Sequence, residues 1–215
     1  MKKLKIQYVE ALNKSDAQSA SDVLENIKEF NAIDVVNWPT EYSYRPESIF
    51  YIARSSDSLF IKFKVTETNL RAIYSTDQDP VYEDSCVEFF CKMPDRNSYM
   101  NFEFNCIGTC IATTRKGRDI EVVPFSSGQL EKIQRFSSLG HQTFSQKEGF
   151  FNWELTVKIP FIILGIDPNN LPEKLLGNFY KCADGTTSPH FVSWSSISTE
   201  TPDFHRPEYF GKLNI

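Results

Sequence analysis

Along most of this chain apolar and polar residues alternate with a period of two, the spacing of strands rather than helices. Val87, Phe89 and Cys91 alternate with Cys86, Glu88 and Phe90 until Pro94, Asp95, Arg96 and Asn97 break the pattern. The alternation then resumes, with Met100, Phe102, Phe104 and Cys106 on one face and Asn101, Glu103 and Asn105 on the other. If these two strands pair, Glu88, Glu103 and Asn105 share one side of a sheet above an apolar layer. Such a side either meets water or hydrogen-bonds a polar, neutral ligand.

The same period recurs elsewhere. Phe50 to Ala53 and the set Leu59, Ile61, Phe63 and Val65 flank a turn at Ser55, Ser56 and Asp57, which predicts a hairpin. Trp153, Leu155, Val157 and Ile159 share a face up to Pro160. Shorter strands are expected at Leu4 to Tyr8, Ile33 to Trp38, Ile120 to Phe125, Asn178 to Cys182, Phe191 to Ile197 and Lys212 to Ile215. Residues 67–81 and 126–149 read as loops, and Arg71 and Tyr74 in the first could face a ligand. Helical spacing occurs once with clarity: Val23, Leu24, Ile27 and Phe30 follow a Ser or Asp cap and predict a helix from Ser21 to Phe30, covering an edge of the sheet.

About ten short strands with turns between them predict an all-β fold, an antiparallel β-sandwich of jelly-roll type with one or two short peripheral helices. No repeat or linker stands out. The expectation is therefore one domain over residues 1–215, with residues 1–32 as an N-terminal extension carrying the helix.

Composition narrows the function. The formal charge is −5 with a pI near 5.3, which argues against a surface that tracks nucleic-acid phosphates. No segment has the length and apolarity of a membrane span. The start MKKLKIQYVE is basic but no apolar run follows it, so the reading is a soluble, cytoplasmic protein beginning at Met1. Five cysteines stand at 86, 91, 106, 110 and 182 without a CxxC pair, a pattern of reduced thiols rather than of a zinc site.

Familiar catalytic motifs are missing. There is no GxGxxG or Walker sequence, and His141, His190 and His205 lie far apart in the chain. Ser85 and Ser193 lack the glycines of a nucleophile elbow. What remains is planar aromatics combined with Glu, Asn and Arg. Sugars present apolar C–H faces and a rim of hydroxyls, which such side chains stack on and hydrogen-bond. Tyr82 precedes Glu88 just where a loop enters the strand, beside that polar face. Glu88 and Glu103 on neighbouring strands also fit a second chemistry, a glycoside-active carboxylate pair.

The run DSCVEFF, then Tyr99 with NFEFN and Gly108, WELTVKIP, and finally NFYKCAD with PHFVSW and PDFHRPEYFG, resembles bacterial proteins related to carbohydrate-binding module family 9, over residues 33–215. The resemblance implies an antiparallel β-sandwich that binds a mono- or oligosaccharide end between two aromatic rings without catalysis, with structural calcium. Relatives are typically attached to secreted xylan-degrading enzymes. Carried over, the acid of D-x-x-V-E falls on Glu88, the asparagine ending the second strand on Asn105, and the first ring on Tyr82, where the family has tryptophan. Glu103 replaces an arginine of the family pattern. Trp194 is the candidate second ring, with Phe204 behind it. Related sandwich domains also hold haem, which here would need Met93 or Met100 opposite a histidine.

Overall fold

The alternation resolves into two sheets packed face to face, in a computed structural model that describes residues 1–215. In chain order the elements are β1 (Lys3–Lys5), β2 (Gln7–Tyr8), α1 (Ala17–Glu25), β3 (Asn31–Ala32), β4 (Val35–Val36), β5 (Glu47–Arg54), β6 (Ser58–Ala72), β7 (Cys86–Lys92) and β8 (Tyr99–Asn105). They continue with β9 (Cys110–Arg115), β10 (Val123–Pro124), α2 (Ser127–Leu130), β11 (Gln134–Ser137), β12 (Phe144–Pro160), β13 (Lys174–Cys182), β14 (Phe191–Ser193) and β15 (Gly211–Asn214). The larger sheet runs β1-β15-β13-β7-β8-β9-β10, with β14 and β4 attached beside β13. The smaller runs β11-β12-β6-β5-β2, with β3 paired to β5.

The apolar face of each strand meets its counterpart between the sheets. Phe89, Phe102 and Phe179 from the larger sheet pack with Phe50, Phe63 and Trp153 from the smaller, all at 1% exposure or less. Phe50 and Phe179 stack across the gap with ring centroids 3.7 Å apart. The outer face of the larger sheet is not left to solvent. Cys86, Phe90, Tyr99, Tyr180 and Cys182 stand on it, and the C-terminal tail folds over them with Ile197, Phe204 and Phe210. Trp38 joins this second core and donates its indole N–H to Thr199 O at 2.8 Å. This tail-covered face is where the polar residues of β7 and β8 end up.

Several elements differ from the sequence expectation. The helix starts earlier, because Asp16 accepts from Ser19 N at 2.7 Å and forms a capping box with it. It ends before Lys28, whose φ of 60° breaks the helix, so Phe30 lies outside it and exposed. The helix covers a face rather than an edge of the smaller sheet, setting Ala20 and Leu24 against Ala53 and Phe60. The loop expected from residue 67 is strand to Ala72, because β12 pairs with β6 along nearly its whole length. The short β1 and β2 pair parallel to β15 and β5, so the sheets are mixed rather than purely antiparallel. No helix is long and apolar enough to cross a membrane.

Candidate functional site

β7 and β8 pair antiparallel, with Glu88 directly opposite Glu103 and Cys86 opposite Asn105. One β-strand further, Ile111 and Arg115 of β9 continue the same outward-facing row, and Cys182 of β13 flanks Glu88 on the other side. Together they floor a cleft of about 340 Å³. Its walls are Tyr82 on the 3-10 turn Val81–Glu83, Asp184 just past β13, Phe191, the turn residues Arg118 and Asp119, and the tail from Pro202 to His205.

The two glutamates are held by unequal means. Glu88 is 3% exposed and its Oε1 accepts only the Cys182 thiol, at 3.1 Å. Glu103, 5% exposed, ends a directional chain. Arg115 Nε donates to Thr113 Oγ1 at 2.8 Å, the Thr113 hydroxyl donates to Asn101 Oδ1, and Asn101 Nδ2 donates to Glu103 Oε1 at 2.8 Å. Each link leaves the next donor no alternative direction, so Glu103 is fixed in orientation. Neither Glu88 Oε2 nor Glu103 Oε2 has a hydrogen-bond partner within the protein.

Burial dominates the electrostatics. It pushes Glu103 up to about 7, an effect that Arg115 opposes. Burial and then the neighbouring Glu103 push Glu88 well above the usual carboxylate range. Asp184 is raised to about 6, again by burial first. The pair therefore keeps a proton near neutrality when nothing else neutralises it. His205 is held down to about 3 by burial and by Arg115 and Arg118, so its ring is neutral there. Its Nδ1 and the Tyr99 hydroxyl are hydrogen-bonded at 3.0 Å.

Of the six residues singled out in the sequence, the fold brings Tyr82, Glu88 and Glu103 together and sends the other three elsewhere. Asn105 is fully buried. Its Nδ2 donates to Tyr74 O at 2.8 Å and to Asp84 Oδ2 at 3.0 Å, while its Oδ1 accepts from Thr109 N at 2.9 Å. It shapes the turn in which Gly108 adopts a φ of 89°. Arg71 reaches Glu83 O at 2.7 Å and lies 3.6 Å from Asp84, bracing the same turn region. Trp194 packs edge-on against Phe50 and Phe179 in the inter-sheet core, at 3% exposure, and is not among the residues lining the cleft. Trp194 follows Val192 by two residues and shares its inward face, with Trp194 N still donating to Phe179 O at 2.8 Å. The rings that line the cleft along with Tyr82 are Phe191 and Phe204. Arg115 and Arg118 were missed, because no strand was expected over 110–115; Asp184 and the tail residues lie in the runs NFYKCAD and PDFHRPEYFG, but of these only Phe204 was named toward the ligand, as the ring behind Trp194.

Calcium would need hard oxygen donors. The one side-chain cluster compact enough to share an ion is Cys86, Glu88 and Cys182, two thiols and a carboxyl, which does not fit that ion. Met93 and Met100 line a separate cleft that contains no histidine, so the haem arrangement has no axial pair there.

An all-β sandwich with a tail-roofed cleft of aromatics and carboxyls on one sheet is the architecture of a small-ligand binding module. The chain belongs to carbohydrate-binding family 9, whose model matches residues 18–215. It is similar over 99% of its length, and 98% of the other chain, to a Bacteroides uniformis protein assigned provisionally to carbohydrate binding, at 35% identity and a TM-score of 0.92. Family 9 modules from Caldicellulosiruptor kristjanssonii share the fold at lower identity. The one solved with glucose is 10% identical with a TM-score of 0.63, covering 99% of this chain and 95% of that one. The one solved with cellotriose is 11% identical with a TM-score of 0.60, covering 99% and 93%. No curated protein matches the chain.

Proposed function

We propose that this protein binds the end of a mono- or oligosaccharide in the Tyr82–Glu88–Glu103 cleft and does not transform it. The observation that carries this reading is the cleft's make-up: rings of Tyr82, Phe191 and Phe204 around two buried, oriented carboxyls with free oxygens. Tyr82, at 39% exposure, offers a ring face for the apolar side of a pyranose, and the carboxyls meet its hydroxyl rim. The glucose and cellotriose complexes of family members sharing this fold support the ligand class. Nucleic acid and membrane surfaces are poor fits for a cleft in which five acids outnumber two arginines.

Titration calorimetry against a panel of mono- and oligosaccharides tests the reading, with a saturable heat for at least one sugar expected and its loss in Glu88→Ala. Silence across the panel, or a Glu88→Ala protein that binds as before, would overturn it.

The facing glutamates raise the enzymatic reading, while membership of a family of binding modules favours binding alone. A glycosidase needs one protonated acid and one ionised nucleophile or base, and a pair that shares a proton meets that need, so turnover is the test. The expected result is no turnover of aryl glycosides; turnover abolished by Glu103→Gln would install an enzyme in place of a binding module.

A further inference from the structure

The acids of this cleft are placed oddly for a neutral sugar. A neutral ligand is satisfied by a mixture of donors and acceptors, and a carboxyl that stays ionised beside it still has to be removed from water. Glu88 and Glu103 are at least 95% buried, directly opposed across two strands, and each has one oxygen with no partner in the protein. Asp184 lines the same cleft from the β13 side. No lysine lines it. Arg115 and Arg118 offset part of this charge from the cleft wall, but neither forms an ion pair with Glu88, Glu103 or Asp184: Arg115 is hydrogen-bonded to Thr113 and the Arg118 carbonyl, and Arg118 lies 3.8 Å from Asp203.

We infer that the cleft selects a sugar carrying a protonated amine, an amino sugar with a free ammonium group, seated between the unpartnered oxygens of Glu88 and Glu103. This rests on the carbohydrate reading above and adds the ligand's charge to it. An ammonium supplies three donors and one positive charge, and both free carboxyl oxygens are acceptors once ionised. Its arrival lets the pair give up the proton it holds when empty, so the like-charge repulsion within the pair becomes attraction to a common cation. Tyr82, Phe191 and Phe204 then surround the ring. The chain ending at Glu103 holds that carboxyl pointed into the cleft, which reduces the ordering cost of binding.

Calorimetry at pH 6.5 with glucosamine, glucose, N-acetylglucosamine and glucuronic acid decides it. Glucosamine is expected to bind at least tenfold more tightly than glucose, N-acetylation to remove the advantage, and glucuronic acid to bind most weakly. In Glu103→Gln the ratio of glucosamine to glucose affinity should shrink to under threefold; its unfolding curve establishes that the variant is folded. Glucose binding as well as or better than glucosamine, or glucuronic acid binding best, would overturn the inference and leave the carbohydrate reading standing. If none of the four, nor any other sugar, binds, both fall. The wild-type panel alone is decisive should the variant not fold.

Discussion

Two polar clusters on this sheet make an instructive pair. Around Asp84, every polar atom is spent: its carboxylate accepts from Ile73 N and Tyr74 N at 3.1 Å and from Asn105 at 3.0 Å, and Arg71 stands 3.6 Å away. Around Glu88 and Glu103, two residues further along the same pair of strands, one oxygen of each carboxyl is left without a partner. Both clusters are buried acids with amides nearby, and residue type alone does not separate them. The closed one holds a turn; the open one is the proposed ligand site. An acid whose bonds are all internal stabilises the fold, whereas a buried acid with a free oxygen costs stability that only a partner from outside recovers.

Breaking the closed cluster should produce the largest effect. Asn105→Ala strips Asp84 and Thr109 N of partners in a buried setting, and should cost about 3 kcal/mol in denaturant unfolding. If Asn105→Ala instead lost ligand affinity with stability intact, the two clusters would have been assigned the wrong way round. Next comes the open cluster's ring. Tyr82→Ala should weaken sugar binding by roughly tenfold to a hundredfold, about 2 kcal/mol, with little change in melting temperature, because Tyr82 is partly exposed already.

Acid titration sharpens the contrast further. Glu103 rises to about 7 in the folded protein from an ordinary value of 4.5, so the folded state binds more protons between those limits. Stability of the unliganded protein should therefore fall as pH rises from about 4.5 through about 7. Glu103→Gln keeps the bond from Asn101 and removes the charge. It should flatten that slope and add on the order of 2 kcal/mol at pH 8, read from unfolding curves across pH. A variant with an unchanged slope would show that Glu103 is not the group that titrates. The smallest effect belongs to Trp194→Phe, expected to cost about 1 kcal/mol of stability through lost core packing while sugar affinity stays put. Lost affinity there would return Trp194 to the cleft.

The sequence on its own determined the strands of the centre and which residues share a face. Alternation is a local property, so Val87, Phe89, Phe102 and Phe104 were legible as core and Glu88, Glu103 and Asn105 as their opposite face. The family and the sandwich were legible as well, through motifs spread from DSCVEFF to PDFHRPEYFG. What only the tertiary structure decided is what covers that polar face. Asn105 lies beneath the turn that Gly108 closes, and Glu88 and Glu103 lie beneath a tail whose Phe204 and His205 come from a hundred residues further along the chain. Whether a polar residue is sealed, paired or open depends on these long-range neighbours, and a two-residue period carries no record of them.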